Sequence, residues 1–313
     1  MSYTVSIKEE ISNINSNKSE LIAELSGYIR NNGDISKDKI TMTTENNFIV
    51  ERVTNTIKDI YDIKPTVKII ENLNFSKKNL YQITISENTN TILKTLGIVD
   101  DNNNYLDTVP NYIVGGNEEI RGYLRGVFNG VGSINDPKKS RYHMELLMSR
   151  PEESVFVQKL LNLFDLNAKI LNRDKGYMIY IKEAEKISDF LKILGANKAV
   201  MYYEDVRVYR DKKNKTNRLN NCEQANMDKI IETATAQLED IDVIEKNDGV
   251  VLLDDKVKEV LNYRKKYPEA SLKELAEIIS LETNKSITKS GLNHRLRKLK
   301  ELADGFRKMN KGD

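Results

Sequence analysis

The side chains best suited to chemistry lie near the end of the chain, on a segment with a helical pattern of apolar residues. That apolar stripe consists of Leu292, Leu296, Leu299 and Ala303, at three- and four-residue spacing. The other face carries Lys289, Ser290, Asn293, His294, Arg297 and Lys300. Side chains of these types read base edges or bind phosphates in the major groove of DNA. We expect Lys289 to His294 to reach deepest, and we assign phosphate contacts to Arg295, Lys298 and Arg307.

A second helix is predicted directly before this one. Ser271 followed by Glu274 has the pattern of a capping box. The buried stripe of that helix consists of Leu272, Leu275, Ala276 and Ile279. A polar connection over residues 281–287 leads to Thr288, which is the predicted N-cap of the last helix. The pair has the arrangement of a DNA-binding helix-turn-helix. Two alternatives stay open, namely that the pair docks a protein and that His294 only packs or caps locally.

The charge of the chain is unevenly distributed. Its net charge is only +2, but residues 286–311 contain eight basic and two acidic residues. A second basic segment, residues 207–218, supplies Arg207, Arg210, Lys212, Lys213, Lys215 and Arg218. Residues 232–255, between the two, contain eight acidic residues and one basic residue. Basic segments attract nucleic acids, so residues 207–218 form a candidate second phosphate-binding surface, although a charge run is often only a solvated face.

Composition excludes several classes of function. Cys222 is the single cysteine and His143 and His294 are the only histidines, so a disulfide framework or a zinc site built from Cys and His is excluded within one chain. No apolar run reaches the roughly 18 residues of a membrane span. The N-terminal residues lack the pattern of a signal peptide. We therefore expect no cofactor, no metal, no membrane contact and a cytoplasmic location.

The first two thirds of the chain contain an internal repeat, whose two copies begin ninety-nine residues apart. Residues 21–35 and 120–134 each read as a helix that breaks at a glycine and runs into a strand. Further helix and strand patterns follow in the same order in both copies. In the second copy, Gly122, Gly126 and Gly130 fall four residues apart on one helix face. Since glycine lowers helix stability, we expect this face to contact the backbone of the matching helix, at Ala23 and Gly27.

The duplicated helices resemble the signature helices of the LAGLIDADG homing endonucleases. In that family an acidic residue just before the final glycine binds divalent metal for phosphodiester cleavage. Here Asn32 and Val131 occupy the two corresponding positions, and neither is an anionic ligand. Asp34 and Asp136 lie nearby but in unlike positions of the two copies. The resemblance therefore implies a retained scaffold without the catalytic acids.

Nearly the whole chain resembles the WhiA family of bacterial sporulation and cell-division regulators, and the resemblance is weakest at residues 75–112. The most specific stretches are residues 132–137, 180–185, 217–226 and 286–299. The resemblance implies a nucleoid-associated protein that is not an enzyme and that binds double-stranded DNA to regulate transcription. It also implies a further partner, either another transcription regulator or RNA polymerase.

These observations give an α+β fold, an αββαββα repeat with pseudo-twofold symmetry followed by a small all-α domain. We expect a duplicated domain at residues 1–221, with repeats at about 1–100 and 110–205, an acidic linker helix at 222–249 and a helix-turn-helix domain at 250–313. Three hypotheses remain: a DNA-binding regulator without catalysis, a residual metal-dependent endonuclease that uses Asp34 or Asp136, and a protein-docking adaptor.

Overall fold

The protein folds into two compact units. The computed structural model describes residues 2–36, 38–70, 79–139, 141–174 and 176–309. Unit 1 spans Met1–Arg210 and unit 2 spans Asp211–Asp313. Lys311, the last member of the C-terminal basic segment, lies outside the described residues.

Unit 1 contains the predicted αββαββα repeat twice, which confirms the fold class. It begins with α1 (Tyr3–Ser12). The first copy comprises α2 (Lys18–Asn32), β1 (Gly33–Ile35), β2 (Ile40–Thr44), α3 (Asn47–Tyr61), β3 (Thr66–Ile70), β4 (Leu80–Ile85) and α4 (Thr89–Thr95). The second copy comprises α5 (Asn117–Val131), β5 (Gly132–Ile134), β6 (Met144–Met148), α6 (Pro151–Leu163), β7 (Lys169–Arg173), β8 (Gly176–Ile181) and α7 (Ala184–Leu194).

Each copy builds one antiparallel four-stranded sheet with the same strand order. The orders are β1-β2-β4-β3 and β5-β6-β8-β7. The registers also correspond, since Thr43 lies opposite Gln82 in the first sheet and Leu147 lies opposite Met178 in the second. Alternate residues of β2 and β6 are buried, as expected for a sheet with one face on the core. Two separate hydrophobic cores result, one in each copy.

The two copies meet through α2 and α5, and the glycines are what allow this contact. A Cβ on Gly126 would collide with the backbone carbonyl of Glu24, and one on Gly122 would lie 2.6 Å from the carbonyl oxygen of Glu20. In the other direction, a Cβ on Gly27 would collide with the carbonyl of Tyr123. The predicted close packing of these helices is therefore confirmed, and side chains at these positions would force the helices apart.

Unit 2 is entirely helical over its described residues. The helix α8 (Asn197–Lys246) begins in unit 1 and ends in unit 2. The sequence pattern predicts a helix only at 222–249, but no glycine or proline interrupts residues 197–246, so the basic segment 207–218 is helical as well. A short 3-10 helix (Gly249–Leu252) follows, and the remaining α-helices of the described residues are α9 (Asp255–Lys266), α10 (Leu272–Thr283) and α11 (Lys289–Met309).

The helices of unit 2 pack around one core. Ile241 and Ile244 of α8 contact α9, α10 and α11 through the stripes that the sequence indicated. Helix α10 extends to Thr283, and Asn284 ends it with a left-handed φ of 54°. The predicted connection at 281–287 therefore begins about three residues too early. No helix in the described part of the chain is long and apolar enough to cross a membrane.

Candidate nucleic-acid interface

Local hydrogen bonds fix the geometry of α10, α11 and the turn between them. The backbone N–H of Glu274 donates to the Ser271 hydroxyl at 3.3 Å, and the Glu274 carboxylate accepts from the Ser271 N–H at 2.8 Å. This confirms the capping box, and the second bond lowers the pKa of Glu274. In the turn, the Ser280 hydroxyl accepts from the Ile287 N–H at 3.0 Å. The Thr288 hydroxyl then accepts from the Gly291 N–H at 3.1 Å and caps α11.

A buried arginine holds the segment before α10. The side chain of Arg264 is buried, and its guanidinium donates to the Ala270 carbonyl at 2.7 Å and to the Tyr267 carbonyl at 3.4 Å. These bonds bring the end of α9 to the residue before the capping box. The sequence analysis missed Arg264, because nothing in the basic run at the end of α9 marks one member as buried.

The apolar stripe of α11 is buried as predicted, and the other side chains of the helix surround it. Leu292, Leu296, Leu299 and Ala303 are all in the core of unit 2. Among the candidate contact residues of α11, Lys289, Ser290, Asn293, His294, Arg297, Lys298 and Lys300 are exposed, whereas Arg295 and Arg307 are half-buried. The candidate DNA-reading residues thus lie on a helix that the protein holds rigidly by its opposite face.

Several cations of α11 already contact carboxylates. Arg295 lies 3.8 Å from Glu259 and Lys298 lies 3.3 Å from Asp254, both on the side of α9. Arg307 donates to Asp240 at 2.6 Å. Arg297 lies 3.8 Å from Glu301, one turn further along α11. Lys289 and Lys300 make no ion pair within the described ranges. The cations that the sequence predicts to bind phosphates therefore differ in whether a carboxylate of the protein already pairs with them.

One flank of α11 borders the C-terminal part of α8. Asn293, Arg297 and Lys300 line a groove of about 600 Å³ together with Thr233, Gln237, Glu239 and Asp240 of α8. Acidic side chains on this side of the groove disfavour phosphates there, so a DNA backbone is expected to pass on the opposite side of Asn293. The acidic part of α8 therefore limits the directions from which a duplex can reach α11.

The basic segment of α8 divides into held and free cations. Arg207 pairs with Glu204 at 2.8 Å, and Arg210 donates to the Pro137 carbonyl at 2.6 Å and lies over the Tyr142 ring. Arg210 thus contributes to the packing of unit 1, whereas Arg207 is paired with a carboxylate of its own helix. Lys212, Lys213, Lys215 and Arg218 are exposed, and none of them forms an ion pair with a residue that the structure describes. Four of the six predicted phosphate contacts are thus available to a polyanion.

The ends of α2 and α5 are where the LAGLIDADG endonucleases hold their metal, and the residues present do not fit one. Helix α2 ends at Asn32, whose amide donates to the Thr43 carbonyl at 2.9 Å. Helix α5 ends at Val131, whose side chain has no atom that could bind a metal. Asp136 accepts from the Tyr202 hydroxyl at 3.0 Å. Among the described residues, no three His, Cys, Asp or Glu side chains lie close enough together to hold a metal ion.

A buried lysine of α1, which the sequence analysis also missed, places its ammonium against the last turn of α5. The Lys8 ammonium donates to the Asn129 carbonyl at 3.0 Å and lies 5.6 Å from the centre of the Phe128 ring. Burial lowers the pKa of Lys8 to about 8. A cation at the C-terminal end of a helix is favourable, because the unpaired carbonyls there carry negative charge.

Comparison with known proteins gives matches along the chain. Residues 18–99 match the model of the WhiA N-terminal LAGLIDADG-like domain, residues 120–213 the WhiA LAGLIDADG-like domain, and residues 216–303 the WhiA C-terminal HTH domain. The probable cell division protein WhiA of Enterococcus faecalis is 39% identical over 314 residues, which cover 98% of this chain and 99% of that relative. The protein of the same name from Lysinibacillus sphaericus is 38% identical, with 98% of each chain covered.

A solved structure has the same fold over nearly the full length. Full-length DUF199/WhiA from Thermatoga maritima superposes with a TM-score of 0.59 at 24% sequence identity, over 98% of this chain and 99% of that one.

Proposed function

The chain belongs to the WhiA family, and on that premise we propose that it is a sequence-specific DNA-binding regulator of transcription, of the sporulation and cell-division type, without nuclease activity. The curated relatives are named as probable cell division proteins. The observation that carries the proposal is the exposed face of α11, where Asn293, Arg297 and Lys300 project from a helix that the core of unit 2 holds in place.

Two kinds of contact contribute to the proposed DNA binding, namely contacts to phosphates and contacts to base edges. Exposed lysines and arginines attract the duplex and release counterions from its phosphates, which supplies affinity for any sequence. The amide of Asn293 then offers a donor and an acceptor to a base edge, the geometry with which asparagine recognises adenine. The rigid capping of α10 and α11 supports this second step, because a base contact requires a fixed side-chain position.

The chemistry of the side chains at the helix ends supports the proposed absence of nuclease activity. Phosphodiester cleavage by this fold needs anionic side chains to bind a divalent ion, and Asn32 and Val131 stand at those positions. Asp136, the acidic alternative that the sequence analysis named in the second copy, is engaged by Tyr202 and by the Lys138 backbone N–H. We propose that the duplicated domain is a scaffold and that the protein is associated with the nucleoid through its DNA contacts.

Two measurements on the full-length protein test this function. Selection of bound duplexes from random DNA should yield a defined motif, and binding to it should weaken steeply with salt. Incubation with supercoiled plasmid and either magnesium or manganese should leave the plasmid intact. A protein that selects no motif is not a sequence-specific regulator. Metal-dependent cutting that Asp34→Ala removes would establish the endonuclease instead.

A second function, protein docking, is favoured by a difference between the two sheets. In the second sheet, Leu147 and Leu171 flank Met178 across β6, β8 and β7, and Met178 itself is buried. Leu147 and Leu171 are 49% and 47% exposed. The corresponding positions of the first sheet are Thr43, Gln82 and Lys68. Two exposed leucines on one sheet are consistent with a contact to another protein, here a second regulator or RNA polymerase.

The two sheets provide their own matched control for this second function. A photo-crosslinking amino acid at Leu171 should capture another protein in cells, and the same amino acid at Lys68 should not. Equal capture at both positions would remove the reason to assign docking to the second sheet.

A further inference from the structure

The middle of α8 is a stretch of helix that is not part of a hydrophobic core of the described residues. Residues 211–229 lie within unit 2, and every one of them is exposed. A helix with mostly polar side chains on all sides is typical of a solvent-exposed connection, and its side chains remain available to a ligand. The question is therefore which ligand suits the side chains of this segment.

Amide side chains form one face of the segment. Asn214, Asn217, Asn221 and Gln224 follow one another at spacings of three, four and three residues, which places them on one side of α8. We call these four residues the amide stripe. At a rise of 1.5 Å per residue it is about 15 Å long, the length of roughly four to five base-pair steps.

The hydrogen-bonding capacity of the amide stripe is almost entirely free. Gln224 donates to Asp228 at 2.8 Å. The side chains of Asn214, Asn217 and Asn221 make no hydrogen bond with the described residues. Asparagine has a lower helix propensity than alanine, so three of them on an exposed helix weaken it. Their presence is understandable if their donors and acceptors pair with a ligand.

Cations lie on both sides of the stripe. Lys213 projects along one edge and Arg218 along the other, and both are exposed and without an ion pair in the described part of the chain. Lys212 and Lys215 point to the opposite side of the helix, as does Glu223. Asp228 ends the stripe at its C-terminal side. A neutral amide row between two cations matches a groove of base edges between two phosphate backbones.

The chemistry favours double-stranded DNA over a single strand. The major groove is about 12 Å wide and admits one α-helix, and Asn and Gln pair with the N6 and N7 edge of adenine there. Binding of single-stranded nucleic acid depends on aromatic side chains on which bases stack. Residues 211–229 contain no aromatic residue.

We propose that the amide stripe of α8 is a second DNA-reading element, which enters the major groove and recognises adenine-containing base pairs. The proposal rests on the function proposed above and adds to it a separate block of sequence recognition, distinct from the block that α11 reads. Arg218 and Lys213 contact the phosphates on either side of the groove.

Selection from random duplex DNA with the full-length protein tests the proposal. The wild type should select a motif with two blocks. The double variant Asn217→Ala/Asn221→Ala should lose one block and bind the wild-type site more weakly, roughly 5- to 150-fold for each amide that no longer pairs with a base. Asn226→Ala is the matched control, because it removes the same amide from the opposite face of the same helix, and it should leave the motif unchanged. Alanine favours helix, so circular dichroism should show that all variants stay folded.

Phosphate contacts are checked with a second matched pair. Arg218→Gln should lower the magnitude of the salt slope by about 0.9, whereas Lys212→Gln on the opposite face should not change it. If the double amide variant selects the full wild-type motif with wild-type affinity, the amide stripe is not a reader. Loss of a block by Asn293→Ala in the same experiment would then leave the proposed function intact. A wild type that selects no motif overturns both proposals.

Discussion

The middle of α8 and the helix α11 are both rich in cations, but those cations have different surroundings. In α8, Lys212, Lys213, Lys215 and Arg218 extend into solvent without an ion pair among the described residues. In α11, Arg295, Arg297, Lys298 and Arg307 each have a carboxylate partner at 2.6–3.8 Å. Similar charge content in the sequence therefore corresponds to different availability for a phosphate.

This difference affects the strength of DNA binding, because a cation that is already paired must exchange its carboxylate for a phosphate. A free cation that meets a phosphate releases a counterion and loses nothing within the protein. A paired cation gives up its carboxylate, and that carboxylate then repels the DNA. Exposed ion pairs are weak, so the exchange is possible, but its net gain is smaller. We infer that α8 supplies more of the sequence-independent affinity, and α11 more of the specificity.

The largest effect is expected when the two sets of four cations are neutralised separately. Glutamine at Lys212, Lys213, Lys215 and Arg218 should lower the magnitude of the salt slope by about 2, because Lys213 and Arg218 are the two proposed phosphate contacts and each contributes about 0.9. Affinity near 0.1 M salt should then fall on the order of a hundredfold. Glutamine at Arg295, Arg297, Lys298 and Arg307 should change the slope less. Fluorescence anisotropy over a range of salt concentrations measures both.

The four glutamine substitutions in α11 should also lower the melting temperature, which distinguishes them from the four substitutions in α8. Asp240 is buried and would lose Arg307, its partner at 2.6 Å. Equal salt slopes and equal melting temperatures for the two variants would show that the ion pairs of α11 have no influence on binding.

Lys8, in contrast to the cations of α8 and α11, is a buried cation. Because burial lowers its pKa from 10.5 to about 8, the native protein loses this proton at lower pH than the unfolded chain does. The free energy of unfolding should therefore rise with pH between about 8 and 10, by an amount on the order of 3 kcal/mol if the window is completed. Urea unfolding of the wild type and of Lys8→Met at several pH values measures this.

The methionine variant should lack the rise, whereas Lys18→Met, which changes an exposed lysine, should retain it. Measurements should stop near pH 10, since burial raises the pKa of Tyr28 and of Tyr203 and their contribution has the opposite sign above that pH. A rise of the same size in Lys8→Met would assign it to another group.

Much of this arrangement follows from local sequence patterns. The spacing of Gly122 and Gly126 predicted a backbone contact, and Ser271 with Glu274 predicted a capping box, because each signal lies within a few residues. The ion pair between Lys298 and Asp254 and the bond from Lys8 to Asn129 join residues 44 and 121 positions apart. No periodicity within one helix contains that information. Which cations are free is thus a property of the tertiary structure.

A smaller effect, confined to sequence preference, is expected from Asn293→Ala. The amide is exposed on α11 and borders the groove shared with α8. Its removal should cost about 1–3 kcal/mol at one or two base positions and leave the salt slope unchanged, since a base contact releases no counterion. Binding to the selected site and to its single-base variants measures this. A uniform decrease on all sequences would instead identify Asn293 as a backbone contact.

The smallest effect is expected from Lys298→Ala, because Lys298 already lies 3.3 Å from Asp254. The salt slope should change by less than the roughly 0.9 of a free phosphate contact, and equally on all sequences. Asp254→Asn should strengthen binding slightly, because it frees Lys298 and removes a negative charge. Asparagine retains the capping of α9 that Asp254 provides by accepting from the Val257 N–H at 2.9 Å, so the fold should persist. In the double variant, the gain from Asp254→Asn should shrink, since no lysine remains to be freed. If Lys298→Ala alone lowers the slope by the full 0.9, and Asp254→Asn changes nothing, then an internal carboxylate does not limit phosphate binding and the cations of α8 and α11 are equivalent.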